Sequence, residues 1–394
     1  LDGTCEGLST CEDDICIPGP PIPEVDGDGS AIAGVAISLS GDIDDDDNIA
    51  GYDQLQWTQL EGPDATILHE FGTDAVAYLP DDAPVGMEFV FRLSASLGDV
   101  ATFADYGVTI LGATATGPMD DAKEAVALAG STFAPANDGY WIGTGLGNFA
   151  RIDDDAVSAE YDLLSPIADI VRYSGGVLLV AQPDLQTVTG FNSNNNMATP
   201  FLTELSGGAP LGAVSVLAVD GDDNVYIGTA EGDILFYDSP DGAEPATSTV
   251  MDTLTTTPTA FALSDIVVAP EDDEGDEGNV LYIGTIDGDV LQLGLSAPED
   301  NSELEIGVAT SYLSVPGTGP VTGLTVDGLG NMWVGKSSGV YLVRRAPQAN
   351  PEVVRTIAAT TGLGGFSGLR TDDGRLVWID PASGRVGSMV AISQ

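Results

Sequence analysis

Basic residues are scarce in this chain. Its 11 lysines and arginines stand against 62 aspartates and glutamates, a formal net charge of −51. That balance excludes nucleic acid as a natural partner, because phosphates are repelled at long range. Anionic membrane surfaces are disfavoured for the same reason. There is one histidine, His69, in the run Ile67-Leu68-His69-Glu70. A single imidazole leaves no histidine metal cage and no Ser–His–Asp site, so an exposed or edge position is expected for it. No apolar run reaches the length of a transmembrane helix. The sequence shows neither an initiator Met nor a signal peptide, so an exported protein would be seen here in its mature form.

Cysteine is also sparse, with three residues, Cys5, Cys11 and Cys16, all at the start of the chain. Structural thiolate sites usually need four ligands. Three close cysteines in an acidic, loop-like tail fit one local disulfide in an oxidising compartment. The odd one is then free, lipidated or paired with another chain. Residues 1–24 carry the cysteines and the stretch Pro18-Gly19-Pro20-Pro21-Ile22-Pro23. Prolines at that density favour an extended segment.

Acid is abundant, and three readings account for it: calcium binding outside the cell, solubility in high salt, or repulsion between like chains. The charge is uneven. From Lys336 onward the bases Lys336, Arg344, Arg345, Arg355, Arg370, Arg375 and Arg385 face the acids Glu352, Asp372, Asp373 and Asp380. Such asymmetry suggests a docking face, with Arg344, Arg345 and Arg355 as candidates. The plainer reading is that these arginines pair with neighbouring acids.

Residues 25–112 alternate apolar and polar side chains in short runs, such as Gln54-Leu55-Gln56-Trp57-Thr58-Gln59-Leu60 and Glu88-Phe89-Val90-Phe91-Arg92-Leu93-Ser94. Period-two runs separated by turn residues predict a β-sandwich. The pieces Ala33-Gly34, Leu39-Ser40-Gly41, Tyr52, Trp57 to Pro63, Tyr78-Leu79-Pro80 and Phe89 to Leu93 resemble a PKD-type, immunoglobulin-like domain. The W-x-Q-x-x-G-P piece is the most specific of them. The resemblance implies a non-catalytic spacer or adhesion module.

Residues 113–394 hold an internal repeat. Tyr-Ile-Gly-Thr occurs at Tyr226–Thr229 and Tyr282–Thr285, with near-copies at Trp141-Ile142-Gly143-Thr144 and Trp333-Val334-Gly335-Lys336. Weaker copies stand at Val177–Val180 and Leu376–Ile379. Spacings of roughly 35–55 residues match four-stranded blades and predict a six-bladed β-propeller. A seventh blade fits if Asn192–Leu211 hides one. Glu271–Gly278 is expected to be an inserted hairpin loop, and a segment near Ala113–Thr116 to complete the last blade. The repeat resembles the propellers of two-component-regulator sensors and of pyrroloquinoline-quinone-type proteins, which implies fold and little chemistry.

The densest acidic cluster is Asp42, Asp44, Asp46 and Asn48, with Asp53 beyond. Oxygen ligands in one loop suit calcium, the one cofactor the sequence suggests; a solvated acidic loop is the alternative. Asp26-Gly27-Asp28-Gly29-Ser30 is a weaker candidate. Asp220-Gly221-Asp222-Asp223-Asn224 and Asp327-Gly328-Leu329-Gly330-Asn331 look like ligand loops but are expected to be hairpin turns. Gly143-Thr144-Gly145-Leu146-Gly147 lacks a following helix and a P-loop lysine, so it reads as a blade hairpin. Trp141, Trp333 and Trp378 are expected at equivalent blade positions, packed between blades.

The whole predicts an exported, two-domain, all-β protein, extracellular, at the cell surface or periplasmic. It would be a non-catalytic binding or assembly subunit, with other protein subunits or a second copy as partners. The alternative is a calcium-dependent hydrolase of the six-bladed lactonase type, whose channel carboxylates hold the metal.

Overall fold

The computed structural model describes residues 10–12, 15–17, 22–25, 29–44, 54–68, 71–97, 100–112, 132–136, 139–143, 147–153, 156–205, 208–237, 252–254, 263–269, 280–296, 305–306, 309–327, 329–344, 351–358, 366–372, 375–380 and 385–393. The chain divides into two units: Leu1–Ala113 together with Val390–Gln394, and Thr114–Met389. Among the described residues there is no α-helix.

The first unit is a two-sheet sandwich. One sheet runs Ile392–Ser393, Gly29–Ile32, Val100–Leu111, Glu88–Leu97, Gln54–Glu61, and the other Ile22–Val25, Ala36–Asp44, Asp74–Tyr78, Thr66–Leu68. Strict alternation puts Phe89, Phe91, Leu93 and Ala95 in the core and their neighbours towards solvent, as a half-buried strand requires. Trp57 is buried, and its indole N–H donates to the Thr73 carbonyl at 2.9 Å. Gln59 then folds the corner that follows: its amide donates to the carbonyls of Glu61 (3.0 Å) and Pro63 (2.7 Å) and accepts the Ala65 N–H at 2.8 Å. The W-x-Q-x-x-G-P piece is therefore a folding signature.

One boundary differs from the sequence-based division, which gave residues 113–394 to the propeller. The last strand, Ile392–Ser393, pairs with Ala31 and Ser30, and Ile32 N–H donates to the Ala391 carbonyl at 3.0 Å. Gly29–Ile32 otherwise has one neighbour, Val100–Leu111. The C-terminal residues cover an edge whose backbone groups would be left unpaired.

Among its described residues the second unit contains six sheets, each of which is a propeller blade. The first blade is Thr132–Ala136, Gly139–Gly143, Asn148–Asp153, Ala156–Asp162, and the second is Asp169–Arg172, Val177–Gln182, Thr187–Asn192, Met197–Leu202. The third is Val214–Val219, Val225–Thr229, Ile234–Tyr237, Asp252–Leu254. The fourth begins Leu263–Ala269, Val280–Thr285, Asp289–Ser296, and both Glu305–Ile306 and Thr310–Ser314 pair with its third strand. The fifth is Gly323–Val326, Met332–Lys336, Gly339–Arg344, Glu352–Ala358. The described strands of the sixth are Ser367–Asp372, Arg375–Asp380 and Arg385–Val390.

Every copy of the repeat, weak ones included, is the second strand of its blade. That strand has a partner on each side, so its central residues are apolar. The Thr of the motif has a separate task. Thr229 Oγ1 accepts the Asp233 N–H and Thr285 Oγ1 the Asp289 N–H, both at 3.1 Å. Gly232 and Gly288, at φ 95° and 90°, close those turns in the left-handed region that favours glycine. Asn192–Leu211 hides no seventh blade, because Met197–Leu202 is the outer strand of the second. The expectations for Glu271–Gly278 and for Ala113–Thr116 fall outside the described residues.

One expected equivalence fails. Strand register pairs Leu217 with Ile227, Ile266 with Ile283, Leu324 with Val334 and Arg370 with Val377. Val377 thus matches the motif's apolar position, and Trp378 falls at its glycine position, two residues beyond the site held by Trp141 and Trp333. The neighbouring strand makes the room: a Cβ on Gly387 would lie 2.5 Å from the Trp378 ring.

Candidate functional site: the propeller channel

The inner strands of the second to sixth blades line a cavity of about 210 Å³. Its walls are mostly apolar, with Val171, Ala218 and Val267 among them, and Thr325 and Thr371 on the fifth and sixth blades. Into this setting three charged side chains converge from alternate blades: Asp169 from the second, Asp265 from the fourth and Arg370 from the sixth. All three are largely buried.

Arg370 Nη2 donates to Asp169 Oδ1 at 3.1 Å, Nη1 lies 3.6 Å from Asp265 Oδ2, and Nη1 also donates to the Leu369 carbonyl at 2.8 Å. Each carboxylate is further held by two backbone amides. Asp169 Oδ1 accepts its neighbour Ile170 N–H, and Oδ2 accepts Leu217 N–H of the third blade, both at 2.8 Å. Asp265 repeats the arrangement with Ile266 N–H at 2.9 Å and Leu324 N–H of the fifth blade at 2.7 Å. All four carboxylate oxygens therefore have a donor, and inner-edge amides that would otherwise be orphaned in the channel are satisfied.

Burial pushes the Asp265 carboxyl up, to about 7, against the pull of Arg370; the nearby charge of Asp169 pushes the same way as burial. Burial works against the charge of Arg370, but the two carboxylates outweigh it and hold the guanidinium above its ordinary value. One fixed positive charge thus faces two acids, one of which shares its proton with the solvent near neutrality.

None of these three residues was singled out as a site from the sequence. The signal was there for the two acids: Asp169-Ile170-Val171 and Asp265-Ile266-Val267 are copies at the same inner-strand position. Arg370 stands where Ile170, Leu217, Ile266 and Leu324 stand in the other blades.

The sequence candidates lie elsewhere. Asp42 is exposed in the strand Ala36–Asp44, and its carboxylate accepts the Ile43 N–H at 2.7 Å. Asp44 ends that strand; Asp46, Asn48 and Asp53 fall outside the described residues, as do Cys5, Arg345 and His69. Among the described residues no three acidic, cysteine or histidine side chains group to hold a metal ion. Cys11 stands directly opposite Cys16 in the hairpin of Thr10–Glu12 and Ile15–Ile17. Arg344 faces Glu352 across its ladder, and Arg355, half-buried, faces Leu342. Among the described side chains two of the C-terminal bases are interior: Arg370, and Lys336, which is buried with Nζ donating to the Val315 carbonyl at 2.7 Å. Burial holds that ammonium below its usual range, against the pull of Asp289.

The two Asp-Gly loops are turns. Asp220 accepts the N–H groups of Asp222 and Asn224, and Asp327 those of Leu329 and Asn331, at 2.9–3.0 Å. Each carboxylate also takes the amide of its own Asn224 or Asn331. Burial raises the Asp327 carboxyl against those bonds.

No family model and no curated protein matches the chain. Solved structures do. A Bacteroides thetaiotaomicron protein of unknown function is similar over 95% of this chain and 98% of its own, at 13% identity and a TM-score of 0.52. A protein provisionally named a gluconolactonase is similar over 68% and 89%, at 14% identity and a TM-score of 0.50. A gluconolactonase from Xanthomonas campestris is similar over 66% and 86%, at 15% identity and a TM-score of 0.49. At such identities likeness is one of fold: this chain is an all-β protein built on a β-propeller.

Proposed function

We propose that this chain is an exported, non-catalytic binding or assembly protein, in which the propeller is the interaction platform and the PKD-type sandwich a spacer or adhesion module. The observation that carries this reading is the state of the channel. Its two acids are consumed by each other's neighbours: four backbone amides and one guanidinium take all four oxygens. Groups so fully engaged serve the fold, which leaves binding to the propeller's outer surfaces. The test is purification of the native protein with identification of the chains that accompany it. A stoichiometric partner, or a second copy by light scattering, is expected. A strict monomer without partners that hydrolyses lactones in a calcium-dependent manner overturns the reading.

The second reading, a calcium-dependent lactone hydrolase, draws on the fold likeness to the provisionally named gluconolactonase. Calcium takes about six to eight oxygen ligands. The channel offers two carboxylates already in use, with a guanidinium nitrogen 3.1 Å from one of them. That donor set does not fit the ion, and no catalytic step is derived through it.

A further inference from the structure

We infer that Arg370 is a built-in substitute for a divalent cation, a guanidinium carried by the last blade that ties the second and fourth blades together across the channel through Asp169 and Asp265. Four observations converge on this. The charge sits at a position that is apolar in the second to fifth blades, Ile170, Leu217, Ile266 and Leu324, so packing alone does not call for it. Its two partners come from alternate blades and meet it at one level, which is how a central ion would be shared. A planar, always-charged fork presents separate nitrogens to the two carboxylates, Nη2 to Asp169 and Nη1 to Asp265. Finally, each carboxylate passes the connection on to the next blade, Asp169 to Leu217 and Asp265 to Leu324. Five of the six blades are joined through one guanidinium.

The consequence is a channel that needs no metal while Arg370 is present and acquires an affinity for metal when it is removed. Two buried like charges beside a cavity of about 210 Å³ repel, and a small divalent cation is the species that relieves them. The inference is independent of what the propeller binds outside; if it fails, the platform reading still stands or falls on partners and lactone hydrolysis.

The experiment compares the full-length chain with Arg370→Ala, in calcium or manganese and in chelator, by thermal melting and calorimetric titration. The propeller transition of the unaltered chain is expected not to move between metal and chelator. Arg370→Ala should melt roughly 10 °C lower in chelator at about pH 8, as for a broken buried pair. Metal should restore much of that shift and bind with one more site per chain than in the unaltered protein. The control is Arg370→Ala with Asp169→Asn and Asp265→Asn, which should show neither the extra site nor the response. Should Arg370→Ala not fold, the unaltered chain and its Asp169→Asn/Asp265→Asn variant are titrated instead. Equal metal stoichiometry is the expected result. A site lost with those two carboxylates in the unaltered chain, or an Arg370→Ala that melts normally and ignores metal, overturns the inference.

Discussion

The backbone N–H of Leu324 donates to the carboxylate of Asp265, 59 residues earlier and one blade away, at 2.7 Å. The bond holds an acid where water cannot stabilise its charge, and Arg370 offsets this only in part. A folding device has thereby become a titrating group.

The pH dependence of stability follows. In the folded chain Asp265 keeps its proton up to about pH 7; in the unfolded chain it ionises near ~3.9. The folded state binds this proton more tightly within that window, so its contribution to stability is greatest in acid and falls as pH rises from ~4 to ~7. The charges facing it are Arg370 and Asp169. Asp265→Asn removes the titration, so its melting temperature should decline less than the parent's between about pH 5 and about pH 7.5. The other acids titrate in both proteins and cancel. One pKa unit is worth about 1.4 kcal/mol, so the gap is large enough for calorimetry; parallel curves would contradict the assignment.

Gly288 should tolerate no side chain. Its φ is 90°, and a Cβ there would lie 2.5 Å from the Gly319 carbonyl oxygen and 2.7 Å from Lys336 Nζ. Gly86 in the sandwich has φ 81° and nothing within 4 Å of such a Cβ. Gly86→Ala therefore carries backbone strain alone, about 1–2 kcal/mol. Gly288→Ala adds a collision with a backbone oxygen and displaces a buried ammonium from its one acceptor shown, the Val315 carbonyl. Denaturant unfolding should show the second change costing clearly more than the first, and equal costs would mean that the turn moves aside.

Much of the propeller was legible because its repeat lies in strands with two ladder partners and two packed faces. There the same residues answer the same demands in each blade, and even Val177–Val180 and Leu376–Ile379 keep the pattern. Register was less legible. Trp378 follows an apolar residue as an aromatic should, but its true position depends on the empty space above Gly387, 9 residues on and on another strand. The channel was hidden by number. Asp169 and Asp265 are two acids among 62, and Arg370 stands 201 residues from Asp169. Charge asymmetry towards the C-terminus was real as composition, but Lys336 and Arg370 contribute to the interior. In the sandwich, Trp57 and Gln59 act locally, and local chemistry is what a sequence displays best.

The hairpin at the start of the chain fixes which cysteines can pair. Cys11 and Cys16 are cross-strand neighbours, and opposite residues in an antiparallel pair lie about 4.5–5.5 Å apart at Cα, within the range a disulfide spans. A peptide map without reductant should yield Cys11 linked to Cys16 and Cys5 outside the link. Recovery of Cys5 joined to either of them in freshly purified protein would show a different hairpin.

The last prediction concerns association. With Lys336 and Arg370 inside, the bases that remain in the sequence of the fifth blade's outer two strands, Gly339–Arg344 and Glu352–Ala358, and directly after the first of these, are Arg344, Arg345 and Arg355. The rest of the chain is acidic, with a total charge of −51. Complementary charge sets on-rate and orientation more than affinity, and salt screens it over about 8 Å at physiological strength. If those arginines meet an acidic face of a partner or a second copy, Arg344→Glu with Arg345→Glu should slow association at least tenfold at low salt. The difference should shrink as salt is raised, while the melting temperature stays within a few degrees of the parent's. Stopped-flow light scattering reads the rate. A reversal that left the rate and its salt dependence unchanged would remove the fifth blade from the interface, and the search would pass to the other blades' outer strands.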